Sequence, residues 1–206
     1  ATARNDRKAS RLLAALYMVM ANRYDWQLFL EVTGPAGSGK SVMAEICTML
    51  AGKGNTQSAS MSALENPKER ELLVGYSLIV MPDMTRYVGD GAGLKAITGG
   101  DKVSINPKYR QPYSMRIPAV ILAVNNDAMR FSDIGGGISR RRVIFNFSDV
   151  VSEDQRDPML VEKIESELPV IIRHLLTRFV KQDEVKQLLR EQQRSDEAME
   201  VKRGTD

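Results

Sequence analysis

The chain has a single cysteine, Cys47, and a single histidine, His174, among 206 residues. One cysteine forms no intrachain disulfide, which predicts a reducing, cytoplasmic setting. Two such residues are too few for a histidine/cysteine metal centre. No apolar run approaches the length that crosses a bilayer, and no signal-peptide pattern opens the chain, so no membrane partner is expected. Charge of one sign is also scarce, with 29 Lys and Arg against 26 Asp and Glu. A balance of +3 permits a nucleic-acid partner without requiring one. Hydrophobic residues make up 43%, enough for one domain with a sizeable core.

What is present alternates between strand and helix patterns. Residues 1–10 are a charged opening on alanine, as expected of a segment of a longer polypeptide. Leu12, Leu13, Leu16, Val19 and Met20 share one face of a helix that ends near Asp25, giving an N-terminal helical linker over 1–25. Residues 28–33 read as a strand and 42–51 as a helix with Met43, Ile46, Cys47 and Leu50 on its apolar stripe. Cys47 is thereby a small core residue, and His174, off the stripe of its own helix, a surface one. Asn66-Pro67-Lys68-Glu69 carries a helix start, with Asn66 as cap and Pro67 at the first helical position. Residues 76–81 form a second strand, apolar as in a sheet covered on both faces. A short helix over 91–98 stops at Gly99-Gly100, and 102–116 read as a hairpin around Asn106-Pro107.

Residues 117–124 are the most apolar strand, and 143–147 a further short one. Helices follow from Asp157-Pro158 to about Gln192, with a break at Pro169, and the charged residues 193–206 predict a disordered tail. The fold class is an α/β sandwich around a mostly parallel sheet, with a β-hairpin insertion and a helical C-terminal appendage. The core then spans 26–150, the C-terminal helices 151–192 and the tail 193–206.

Gly34-Pro35-Ala36-Gly37-Ser38-Gly39-Lys40-Ser41 fits G-x-x-x-x-G-K-[ST] and sits between the first strand and its helix, the context that identifies a phosphate-binding loop. Its glycines let successive amides turn around an anion, and the helix adds its positive end. Lys40 reaches the terminal phosphates of a nucleoside triphosphate and the Ser41 hydroxyl ligates magnesium. Asp83, at the end of the second strand, is placed to hold the same ion. Asn125, with Asn126 as competitor, is a polar tip on the most apolar strand, suited to orienting water. Ser139-Arg140-Arg141-Arg142 follows Gly135-Gly136-Gly137, a flexible approach for an arginine acting across a subunit boundary.

In this order the motifs resemble a superfamily 3 helicase of the primase-helicase type found in phages, plasmids and poxviruses. The resemblance covers roughly residues 26–179. It rests on the phosphate loop, Asp83, Leu94-Lys95-Ala96-Ile97-Thr98-Gly99-Gly100-Asp101, Ala123-Val124-Asn125-Asn126, Arg140-Arg141, Asp157-Pro158 with Leu160, and Glu167-Leu168-Pro169. It implies an AAA+ type three-layer sandwich, ATP and Mg2+ as cofactors, and a homo-oligomer forming a hexameric ring. The implied partners are single-stranded DNA and replication forks, with a primase domain possible in the full-length chain. Asn125 is then the sensor of the terminal phosphate, and Arg140 or Arg141 the finger. The resemblance also implies a channel hairpin on which Lys108 grips DNA with Tyr109 stacking beside it, Lys102 and Arg110 being secondary candidates. Two positions depart from the family pattern. Met84 and Thr85 follow Asp83 where a second acid is common, leaving Glu31 or Asp90 as the general base, and Ser139 precedes the arginines where an aromatic is frequent. A P-loop small-molecule or nucleoside kinase, and a nucleotide-binding assembly module without turnover, are the alternative readings.

Overall fold

Val120-Ile121-Leu122-Ala123-Val124-Asn125 is wholly buried and lies at the centre of the sheet, because only a position covered on both faces hides every side chain of such a run. The computed structural model describes residues 6–82, 88–132 and 135–205. The elements are α1 (Asp6–Met20), β1 (Phe29–Thr33), α2 (Lys40–Ala51), β2 (Thr56–Ser58), α3 (Met61–Glu65), β3 (Leu78–Pro82), β4 (Val88–Gly89) and α4 (Ala92–Gly99). There follow β5 (Val103–Ile105), β6 (Tyr113–Met115), β7 (Val120–Asn125), β8 (Arg130–Phe131) and β9 (Arg142–Asn146). The chain finishes with α5 (Leu160–Ser166), α6 (Leu168–Arg178), α7 (Gln182–Gln193) and α8 (Asp196–Arg203).

The main sheet has the order β2-β3-β7-β1-β9, and each adjacent pair is parallel. Side chains alternate across it with the period of two that a strand imposes. Leu30, Val32, Leu122, Val124, Val143 and Phe145 face α1, α2, α6 and α7. Phe29, Ile79, Met81, Ile121 and Ala123 face a second core with Leu64 of α3 and Leu94 of α4. This is the three-layer α/β sandwich expected from the alternation of strands and helices. The expected hairpin is present as β5 and β6, antiparallel, with Ser104 opposite Ser114. The helix start at Asn66 yields only a 3-10 turn, Arg70–Leu73, where Glu69 bonds the Asn66 amide instead of opening a full helix.

Two boundaries differ from those the composition suggests. The helix expected in the N-terminal segment is present and packs into the domain: Ala14, Ala15, Tyr17, Met18 and Val19 of α1 are buried in the first core. Residues 193–205 do not form the expected disordered tail, since α7 runs to Gln193 and α8 follows, capped by the Ser195 hydroxyl on the Ala198 amide. Its anchors are polar. Glu197 takes the Asn146 amide at 2.5 Å and Lys8 at 2.5 Å, and Thr205 accepts from Arg142 at 3.0 Å. Glu197 thereby satisfies one amide on the open edge of β9, while Gln192 and Gln193 donate to Ile144 O and Arg142 O of the same strand.

No helix among the described residues is long and apolar enough to cross a membrane. Cys47 is fully buried in α2, and burial alone pushes its thiol up to about 12, so it is inert, as its stripe position predicts. His174 is exposed.

Candidate functional site

The phosphate loop leaves the carboxyl end of β1, where ligands bind in parallel α/β sheets. Its first residue is stitched between two neighbours: the Gly34 amide donates to Asn126 O at 3.3 Å, and Phe147 N donates to Thr33 O at 2.7 Å. Gly34 has φ +140°, and a Cβ there would stand 2.1 Å from Phe147 O. Only glycine fits that close approach. Gly39 opens α2 in the left-handed region and no side chain caps the helix, so its first amides keep no intrahelical acceptor.

Lys40 is buried and folds across the loop, its Nζ donating to Gly34 O at 2.6 Å and Pro35 O at 2.8 Å. Ser38 Oγ is buried with no hydrogen-bond partner among the described residues. Pro35, Ala36, Gly37 and Ser41 are exposed along the loop. A lysine ammonium, an orphaned hydroxyl and uncapped helix amides converging on one glycine-lined turn fit the phosphates of a nucleoside triphosphate. Ser41 opens α2 on the accessible side, where a magnesium ligand belongs. Asp83, the second proposed magnesium ligand, lies outside the described residues, as do Met84 and Thr85.

Asn125 ends β7 beside Thr33, the last residue of β1, and is buried. Sheet register therefore sets it next to the residue that starts the loop. Asn126 is exposed and gives its carbonyl to Gly34.

The arginines have three different settings. Arg142 is fully buried. Its Nε meets Glu31 Oε2 at 2.6 Å, its Nη2 meets Met129 O at 2.7 Å, and its guanidinium lies over the Phe131 ring at 5.2 Å. Arg141 is half-buried, bonded through Nη1 to Gly137 O at 2.7 Å, with Nη2 3.4 Å from where a Gly99 Cβ would be. Arg140 is exposed. This loop precedes β9 at the amino end of the sheet, Phe29 N donating to Arg141 O at 2.9 Å. The five residues of β1, roughly 15 Å of strand, separate it from the molecule's own phosphate loop.

Glu31, one of the two candidates for the general base, is committed elsewhere. It is 0% exposed, faces the second core, and spends both oxygens on Arg142 and on Met129 N at 2.9 Å. Asp90 is exposed and takes the Ala92 amide at 3.3 Å as α4 begins.

The hairpin carries the predicted DNA contacts at its turn and base. Tyr109 is 92% exposed with φ +62°, and Lys108 Nζ sits 4.9 Å from its ring centroid. Lys102 is exposed at the base of β5. Arg110, also exposed, is engaged with Glu71 at 2.9 Å. The hairpin is anchored by Arg70, whose Nη1 donates to Ser104 O at 2.9 Å, and by Asn106 N on Pro67 O at 2.8 Å.

Sequence reading passed over three groups. Arg156 lies against the phosphate loop, its Nη2 2.7 Å from where a Gly37 Cβ would stand, on a strap tied by Val151 N to Gly37 O at 3.0 Å. Arg190 Nη1 and Gln193 Nε2 each donate to Arg140 O at 3.0 Å. Lys202 Nζ donates to Ser139 O at 3.0 Å. The C-terminal helices thus hold the backbone of the arginine loop while leaving the Arg140 side chain outside. Arg156 had one available signal, its place directly before the Asp157-Pro158 helix start. The other three had none, since they act through carbonyls far away in sequence.

A family model described as "Family of unknown function (DUF5906)" matches residues 32–142, from β1 to the start of β9. The apo A form of the NrS-1 C-terminal region aligns at a TM-score of 0.71 with 10% identity, covering 97% of this chain and 47% of that one. At that identity the likeness shows the fold alone, and the chain spans about half of the NrS-1 region. The uncharacterized mitochondrial protein ymf20 of Marchantia polymorpha is 32% identical over 69 residues, 33% of this chain and 41% of that protein. A JCV helicase aligns at a TM-score of 0.45 with 15% identity, over 89% of this chain and 60% of its own, a likeness too distant to carry weight.

Proposed function

We propose that this chain, which belongs to the DUF5906 family of unknown function, is an ATP-dependent DNA helicase module of superfamily 3 type that works as a ring of identical subunits. The carrying observation is the distance between its two phosphate-directed elements. The phosphate loop is at one end of the sheet, and the exposed Arg140 is on a braced loop at the other. One subunit's arginine therefore serves a neighbour's nucleotide, and ring closure satisfies every site at once.

Each residue has a defined task. Lys40 and the loop amides neutralise charge on the transferring phosphoryl group. Ser41 and Asp83 would hold the magnesium ion, which supplies further neutralisation. Asn125 orients the attacking water beside the terminal phosphate. Arg140 completes the site in trans, while Arg141 is tied to Gly137 O beside the Gly99 turn. Lys108 and Tyr109 contact the strand. The full protein would act at replication forks, in the cytoplasm, with a hexamer and a linked primase domain as the assembly implied by the family resemblance.

Arg140→Ala is expected to bind ATP normally and to lose hydrolysis by a factor of roughly a thousand. Mixed with Lys40→Ala protein it regains part of its activity, because an intact loop then faces an intact arginine. Phosphate release across mixing ratios checks this, and a flat zero from two assembled variants would sink the shared-site reading. Lys108→Ala, by contrast, is expected to keep basal hydrolysis and lose strand displacement, with salt dependence of single-strand binding lowered by about 0.7 per contact removed. Normal unwinding by that variant refutes the hairpin assignment.

A further inference from the structure

A cavity of about 430 Å³ opens between α1, α7 and the start of α8. Among the described residues four arginines line it, Arg7, Arg11, Arg190 and Arg194, against two acids, Glu191 and Asp196. None of these residues belongs to the phosphate loop, the arginine loop or the hairpin. Glu191 does not neutralise the group tightly: it stands 4.0 Å from Arg7 Nε and 3.7 Å from Arg11 Nη2, both longer than a hydrogen bond. Asp196 sits in the first turn of α8, where the helix end already favours a carboxylate.

Two features point to an anion. Arg11 keeps 15% of its side-chain surface, and its Nε is buried with no hydrogen-bond partner among the described residues. A buried guanidinium N–H left without an acceptor is costly, and an incoming oxyanion removes that cost. Crowding is the second. Burial, and after it the like charge of Arg194, hold the Arg190 guanidinium below its ordinary value. Repulsion among the cations is relieved when negative charge enters. The volume falls in the range of ligand-sized pockets, and the exposed Arg7 and Arg194 leave the mouth open at two sides.

We propose that this cavity is a second phosphate-binding site, which takes a backbone phosphate of a single-stranded nucleic acid between guanidinium forks from α1 and α7–α8. Planar guanidinium matches the paired oxygens of a phosphate in a way that lysine does not. A free phosphate is the other source of the same chemistry. Arg190 is shared with the arginine loop through its bond to Arg140 O, so a strand held here also touches the device that acts on the neighbouring subunit. The site stands independently of the helicase reading, because neither hydrolysis nor a ring is needed for it to fill.

The test uses the full chain carrying Lys40→Ala and Lys108→Ala, which silences the phosphate loop and the hairpin. Arg7→Gln and Arg194→Gln are added, both at exposed positions, with thermal melting as the check on folding and Arg7→Gln alone as the milder variant. Fluorescein-labelled oligo(dT) is titrated by anisotropy over a salt series, and inorganic phosphate is titrated by calorimetry. The added pair is expected to weaken oligo(dT) binding about tenfold at low salt and to reduce the salt slope by about 1.4, two contacts at 0.7 each. Restoring arginine at either position recovers about half of the loss, and lysine recovers less. Loss of inorganic phosphate binding with oligo(dT) binding untouched assigns the site to a free phosphate and overturns the strand. Unchanged binding of both overturns the site.

Discussion

Lys40→Ala is expected to reduce ATP hydrolysis by roughly a hundred- to a thousandfold or more, while the protein stays folded. The size follows from where the ammonium sits. Lys40 is buried at the heart of the loop, and its Nζ reaches the carbonyls of Gly34 and Pro35 within 2.8 Å. Bound phosphate oxygens offer that cation a stronger acceptor than either carbonyl. In a site shielded from water such a charge contributes several times what it would at the surface. The stability cost is small by comparison, about 1 kcal/mol for each hydrogen bond lost. Lys40→Arg keeps the charge in a wider fork and is expected to remain well below the parent. Phosphate release at saturating ATP, alongside a thermal melt, separates the two effects. A Lys40→Ala protein with more than half the parent rate would show that the loop is not the site of hydrolysis.

The parts of this site legible from sequence are those built by short stretches of chain. Gly34 to Ser41 announce themselves because strand, turn and helix are contiguous, and each glycine answers a local backbone demand. The strands β3 and β7 are readable from their apolar runs, β1 from its place before the glycine loop, and the hairpin from its alternation about Asn106-Pro107. Asn125 was a candidate as the polar end of an apolar strand, and the register sets it buried beside Thr33. What was hidden depends on polar contacts across long separations. Arg142 reads as one of three basic turn residues, yet its partner Glu31 is 111 positions away. Residues 193–206 are charged and nearly free of large apolar side chains, and so read as a tail. Glu197, Lys202 and Thr205 hold α8 through hydrogen bonds to β9, Ser139 and Arg142, which no hydrophobic pattern encodes. Glu31 looked available as a base for the same reason: its position near the loop was visible, but its partner was not.

That buried pair supports the second large effect, on stability. Arg142→Ala is expected to destabilise the fold by roughly 3–5 kcal/mol, because it leaves the Glu31 carboxylate buried and unpaired in an apolar layer. Against a total of about 5–15 kcal/mol for a domain, this is a large fraction. The loss also removes the bonds from Arg142 to Met129 O and Thr205 Oγ1, so the connection after β7 and the end of α8 come loose together. Glu31→Gln is expected to destabilise too, since a neutral amide replaces the charged partner of a buried guanidinium. Glu31→Leu with Arg142→Met removes both charges at similar volume, and its cost falls well below the sum of the single changes. Urea denaturation of the parent, Glu31→Leu, Arg142→Met and the double variant, with Glu31→Gln alongside, measures that coupling. The same variants decide the catalytic question. If Glu31 were the base, Glu31→Gln would keep its stability and lose hydrolysis. The geometry requires the reverse: the folded fraction of Glu31→Gln hydrolyses ATP at a rate close to the parent, and a loss beyond tenfold at full folding would return Glu31 to the reaction.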